Sequence, residues 1–218
     1  MPTATWERLP EARRQAVLRA AEAEFAAHGF SGGSLNAIAR NASVAKGSLF
    51  QYFTDKADMY AHLADLASQR IRAAMELRIA ELSWETGFFP ALRQLAQDWV
   101  AYFAVNPLDR AFMAAVSLEP DMTARSAVRE AANGHYLAVL RPLLRKARDM
   151  GELRADADIE ALLALLLVLL PHLALAPHNP GLDPVLGLSS GDSRQVGEAV
   201  DRLVNTLVAA FAAAGARR

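Results

Sequence analysis

Apolar residues recur along this chain at intervals of three and four, the period of an α-helix, and no stretch alternates apolar and polar residues as a half-buried strand does. Val17, Leu18, Ala21 and Phe25 form an inner stripe on a helix that starts at Pro10 and ends at Gly29. Ser34 is placed to cap a brief second helix. Its Leu35, Ile38, Ala39 and Ala42 face inward, and Asn36 and Arg40 share the outer side. A third helix follows in "NASVAKGSLFQYFTDK". Leu49 and Phe53 point one way, while Gly47 and Gln51, two residues either side of Leu49, point roughly opposite, flanked by Lys46 and Phe50. One face of this helix is built for a core and the other for something else.

Asp55 caps a long helix running to about Leu82. "SWETGFFP" breaks the pattern, Pro90 starts a further helix, and "NPLD" (106–109) and "EPDM" (119–122) break it again. The next long helix contains Pro142, which predicts a kink, and closes at Gly151 with basic residues in its last turn. Asp158 caps the most apolar helix, "ALLALLLVLLPHLALA". The segment 176–193 is rich in Pro, Gly and Ser and reads as a loop, and a final amphipathic helix spans Ser193 to Ala214. The fold class is therefore all-α, with about nine helices. The expected domains are residues 1–54, a three-helix helix-turn-helix unit, and residues 55–218, a helical regulatory and dimerisation domain.

Two short helices joined by a tight turn, the second polar on its outer face, make the layout of a helix-turn-helix. Lys46 can donate to guanine acceptors, Gln51 can bond a base edge, and Gly47 allows close backbone approach. Ser34, Tyr52 and Lys56 stand at element ends, where donors meet phosphates. Residues 13–60 resemble the DNA-binding domain of the TetR family of bacterial regulators. Where that family runs roughly "IA..AGVSKGTLY.YF.SK..L", this chain has "IARNASVAKGSLFQYFTDKADMY", preceded by "AAEAEFAAHGF". Ser43 replaces the usual glycine and Phe50 the usual tyrosine. The resemblance implies Ser34, Asn36, Lys46, Gly47, Ser48, Gln51, Tyr52 and Lys56 as DNA-facing. It also implies a homodimeric regulator, most often a repressor, that binds a palindromic double-stranded DNA operator and releases it when a small molecule binds the C-terminal domain.

Composition changes this picture little. The 218 residues carry a formal net charge of -1, and the first 60 only one net positive charge. A DNA partner must therefore be recognised locally rather than by a global field. The near-neutral balance also keeps open a helical binding or scaffold protein whose helix-turn-helix no longer reads DNA. The absence of cysteine excludes disulfides and thiolate metal sites. With no signal-peptide pattern, a cytoplasmic location is expected. The apolar helix is shorter than the roughly 20 residues of a membrane span and contains Pro171 and His172, so no membrane partner is expected.

Enzyme signals are weak. "GFSGG" and "GLSSG" both fit G-x-S-x-G, yet neither serine follows a strand, and no histidine pair has metal-ligand spacing. Neither catalysis, a metal nor a cofactor is expected. Trp99, Tyr102, Phe103, Met113, His135, Tyr136 and His172 are the candidates for lining an apolar effector pocket with polar tips. Leu162, Leu166, Leu169 and Leu170, with Leu203, Leu207 and Phe211, follow helical spacing on the last two helices. They are expected to pair across a two-fold, four-helix interface.

Overall fold

The computed structural model describes residues 2–215. Ten α-helices form among them: α1 (Ala4–Glu7), α2 (Glu11–Gly32), α3 (Leu35–Asn41), α4 (Lys46–Tyr52), α5 (Lys56–Glu81), α6 (Phe88–Val105), α7 (Pro107–Ser117), α8 (Met122–Asp149), α9 (Ile159–Leu175) and α10 (Ser193–Phe211). No strand forms among the described residues, and Leu153 and Ala212 make an isolated antiparallel bridge. The all-α class expected from the period is the one observed. Helix α1 is additional, because four residues are too few to show a period. The break at "NPLD" is narrower than its composition implies, since Pro107 occupies the first position of α7, where its missing N–H costs nothing.

The chain divides into two compact units. One holds the residues up to Ile71 together with Pro107–His135; the other holds Arg72–Asn106 and the chain from Tyr136 onward. The first unit is built on an aromatic core. Phe25, Phe53, Tyr60 and Phe112 are fully buried with Ile38 and Leu49, and the Tyr60 ring sits 5.0 Å from Phe25 and 5.6 Å from Phe112. Arg70 on α5 donates to Asp109 on α7 at 2.5 Å and also to Glu22 on α2, so one guanidinium holds three helices together through two nearly buried carboxylates. Gly33, after α2, has no room for a side chain: a Cβ there would stand 2.6 Å from the Phe25 ring.

In the second unit α6 packs against α9 and α10. The buried Trp99 indole donates to the Leu170 carbonyl at 2.8 Å. That carbonyl is in the turn before Pro171 inside α9. Arg93 pairs with Asp201 at 3.0 Å and donates to Asn205 at 2.7 Å, fixing α6 against α10. The Pro- and Gly-rich segment after α9 has local order. Asp183 is buried and accepts from the backbone N–H groups of Val185, Leu186 and Leu188 at 2.7–3.0 Å, which seats Leu188 in the core. These backbone donors hold the Asp183 carboxyl below its ordinary range.

The connection from α3 to α4 closes as a Schellman motif. Val44 N–H bonds to Ala39 O at 2.9 Å and Ser43 N–H to Arg40 O at 3.1 Å, with Ser43 at φ 55°. A serine there meets the left-handed penalty that glycine avoids. Ser43→Gly is expected to raise stability by about 0.5–1 kcal/mol, read as a higher denaturation midpoint at unchanged slope.

Candidate nucleic-acid interface

Helix α4 is amphipathic at the scale of single residues. Leu49, Tyr52 and Phe53 are buried, while Lys46, Gly47, Phe50 and Gln51 are exposed. The inward three follow a spacing of three and four. Their burial is worth about 1.5–3 kcal/mol each, enough to order a helix too short to persist in water. The outward four therefore stand on a rigid support. A Cβ at Gly47 would meet nothing within 4 Å, so that position is open to an approaching surface.

The N-terminal segment braces the far end of α4. Thr3 N–H bonds to Tyr52 O at 2.9 Å, and the Thr3 hydroxyl donates to Gln51 O at 2.5 Å. Trp6 is buried 4.9 Å from the Phe53 ring and 5.9 Å from Tyr52. At the near end, Ser34 caps α3 by accepting from Ala37 N–H at 3.3 Å, while its own N–H is held by Glu24 at 2.9 Å. Asp55 accepts from Asp58 N–H at 2.8 Å and starts α5.

Of the residues expected to face DNA, Asn36, Lys46, Gly47 and Gln51 are exposed, and Ser34, Ser48 and Lys56 are partly so. The Lys56 ammonium lies 4.7 Å over the Phe30 ring, a cation–π contact at the start of α5. Tyr52 is 5% exposed, and its ring packs on Trp6 in the core under α4. It lies three residues after Leu49, on the same side of the helix, and its place at the helix end concealed that. Phe50, expected to flank the outer face, is 49% exposed beside Lys46 and Gln51.

The two serines of the G-x-S-x-G motifs lie elsewhere. Ser31 is in the last turn of α2 and donates to Glu119, and Ser189 is in a short 3₁₀ turn. Neither follows a strand, as a nucleophile elbow requires.

The model of the family described as "Bacterial regulatory proteins, tetR family" matches residues 17–63, which span α3, α4 and the flanking parts of α2 and α5. The chain is 30% identical over 155 residues to the HTH-type transcriptional repressor AcnR of Corynebacterium diphtheriae, covering 69% of this chain and 73% of that one. The chain belongs to the TetR family. The AcnR repressor of Corynebacterium glutamicum is 29% identical over 195 residues, covering 85% of this chain and 95% of that one. Among solved structures, the transcriptional regulator FadR of Bacillus subtilis, determined with stearoyl-CoA, has the same fold. Its TM-score is 0.67 at 18% identity, over 89% of this chain and 97% of that one. The chain is thus a TetR-family transcriptional regulator with a helix-turn-helix at α3–α4.

The remaining expected residues fall in both units. Trp99, Tyr102, Phe103 and Tyr136 come together in the second. Trp99 is 4.9 Å from Phe103 and 5.7 Å from Tyr136, and Tyr102 is 5.2 Å from Phe103. Trp99 does not offer a polar tip, because its N–H is committed to Leu170 O. Phe103 is fully buried. His172 is half-buried on α9. Met113 and His135 belong to the first unit, where His135 pairs with Asp65 at 2.8 Å.

The leucines expected at an intersubunit contact divide by burial. Leu162, Leu166, Leu170 and Leu207 are buried within their own chain, and Leu169, Leu203 and Phe211 are half-buried. Helix α9 is apolar on nearly every side, so its sequence gives no sign of which stripe faces inward.

The packing of Tyr52 yields a test. Tyr52→Phe is expected to leave stability within about 0.5 kcal/mol of the parent, and Tyr52→Ala to cost about 3–5 kcal/mol. Chemical denaturation of both variants measures this.

Proposed function

We propose that this TetR-family regulator is a cytoplasmic, homodimeric repressor that reads a palindromic operator through the outer face of α4 and releases it when an apolar or aromatic small molecule binds. The single observation that carries the DNA reading is the division of α4 into a buried row and an exposed row. The exposed row presents a cation, an amide and an aromatic edge with a glycine between them. Lys46 donates to guanine acceptors, Gln51 bonds a base edge, and Phe50 offers apolar contact to a thymine methyl. Ser34, Asn36, Ser48 and Lys56 meet the phosphates on either side. The AcnR relatives, both repressors by name, support repression.

The effector reading rests on the aromatic cluster of Trp99, Tyr102, Phe103 and Tyr136. Such a cluster favours an apolar or ring-bearing ligand. The FadR structure was determined with stearoyl-CoA, an acyl ligand, and that agrees with an apolar effector class. Helices α5 and α8 are each divided between the two units. A coupling of about 1–3 kcal/mol changes operator affinity about 5–150-fold. The effector must bind the DNA-free arrangement better than the bound one.

The dimer reading moves to the stripe that the fold leaves uncovered. Ala161, Ala164, Leu165 and Val168 are exposed at one helical spacing on α9, with Leu165 48% and Val168 73% exposed. A second copy covering this stripe gives the two-fold pair of reading helices that a palindrome needs. It also accounts for a segment, Ile159–His178, that is apolar enough to cross a membrane yet only half-buried in its own chain.

Lys46→Ala and Gln51→Ala are each expected to cost about 1–3 kcal/mol on an operator selected from random duplexes. Lys56→Ala is expected to weaken all sequences alike and to lower the salt slope by about one phosphate contact. Titrations at several salt concentrations separate the two behaviours. Equal losses on every sequence for Gln51→Ala would remove it from base reading.

Val168→Glu is expected to give monomers with parental helix content in sedimentation and circular dichroism, and to lose operator binding at micromolar protein. A dimer that survives Val168→Glu and Leu165→Glu together would place the interface elsewhere.

A further inference from the structure

Glu119 lies in the short connection between α7 and α8 and is 2% exposed, yet it makes no ion pair with a basic side chain among the described residues. Its carboxylate is spent on the end of α2, far away in sequence. Oε2 accepts from Phe30 N–H at 2.8 Å and from Ser31 N–H at 3.3 Å, and Oε1 accepts from the Ser31 hydroxyl at 2.5 Å. A further bond from Asp121 N–H at 3.0 Å fixes the carboxylate to its own turn.

Two features show that this seat is specific. Gly29 interrupts α2 at φ 65°, which turns the next two N–H groups toward the carboxylate, and a Cβ at Gly29 would stand 3.2 Å from Oε2. Burial pushes the Glu119 carboxyl up, but the bonds from the Ser31 hydroxyl and from the Asp121, Phe30 and Ser31 N–H groups outweigh it and hold the group below its ordinary value. The carboxylate is therefore charged wherever DNA binding is measured.

Phe30 is the residue this carboxylate holds by its backbone, and its ring carries Lys56 at 4.7 Å and rests 5.5 Å from Tyr60. Four residues further on, Ser34 opens α3, its N–H fixed by Glu24. The segment 29–34, which leads into the helix-turn-helix, is thus pinned at both ends by carboxylates. Glu24 belongs to α2 itself. Glu119 belongs to a turn stiffened by the Asp121 cap on α8, through Ala124 N–H at 2.8 Å.

We propose that Glu119 is a positioning residue for DNA binding. Acting through Phe30, it sets the place of the Lys56 ammonium and the entry to α3, and it makes the α7–α8 turn the handle by which movement of those helices reaches the operator interface. This rests on the operator reading above. A carboxylate that served only as a helix-end cap would contribute to stability and leave the affinity of folded protein untouched.

The test uses the full-length protein and the operator that the parent selects from random duplexes. Affinity is titrated across salt for the parent, Glu119→Ala, Glu119→Gln, Phe30→Leu and the double variant Glu119→Ala with Phe30→Leu. Thermal melts and circular dichroism define a temperature at which each is folded. Glu119→Ala is expected to weaken binding about tenfold and to flatten the salt slope by about one phosphate contact, as Lys56→Ala does. Glu119→Gln keeps an acceptor oxygen for the Phe30 and Ser31 N–H groups and is expected to recover most of both. The double variant is expected to bind no worse than the weaker single one, because both changes act on one contact.

If Glu119→Ala melts lower but keeps the parental affinity and slope, the carboxylate is only a cap and the proposal fails. Should Glu119→Ala not fold, Glu119→Asp replaces it. Aspartate keeps the charge but cannot reach Phe30, and it is judged by the same two readouts. If the parent selects no sequence at all, the operator reading fails and takes this inference with it. If the parent selects an operator and only the Glu119 variants leave binding unmoved, the operator reading stands and this inference alone is lost.

Discussion

A helix of seven residues does not hold itself together in water, because nucleation costs more than its few hydrogen bonds return. That constraint governs the first unit of this protein. Helix α4 must offer one face to a partner, so it has only the other with which to be stabilised. Leu49, Tyr52 and Phe53 fill that face. Around them the chain adds a brace from each direction: Thr3 and Trp6 from the N-terminus, the Schellman turn at Ser43 from α3, and Asp55 at the start of α5.

The same economy explains the polar groups of the unit. Buried charge is costly unless each charge meets a partner or a set of donors. Arg70 meets two carboxylates from different helices, and Glu119 meets backbone N–H groups freed by the bend at Gly29. Each therefore ties together elements far apart in the chain through directional bonds. In the second unit Trp99 and Asp183 act similarly, one tying α6 to α9 and the other shaping the loop after α9. An outward reading face is only useful on such a support, since base contacts demand sub-ångström placement.

The family assignment fits this architecture. The matched segment, residues 17–63, contains α3 and α4 and their buried residues Ile38, Leu49, Tyr52 and Phe53. The relatives extend the likeness through most of the chain, at 29% and 30% identity. A DNA-reading unit has to present particular side chains at particular spacings. A helical bundle that holds a ligand can be built from many apolar sequences of the right volume.

How much of this was legible beforehand follows the same divide. Every helix but α1, the caps at Ser34, Asp55 and Asp158, and the outward placement of Lys46, Gly47 and Gln51 were legible, because each depends on neighbours within one or two turns. At Ser43 the resemblance marked only that serine replaces the usual glycine, and the positive φ came from the structure. Contacts across long sequence separations were not legible. The burial of Tyr52 depends on Trp6, and the role of Glu119 on Phe30 and Ser31. The exposed stripe of α9 was hidden for a different reason. A helix apolar on all sides has no preferred face until α6 and α10 choose one. Sequence alone determined the elements and the chemistry on the surface of α4. The tertiary structure decided which apolar face is covered and which charge reaches which backbone, since both depend on atoms brought together only by folding.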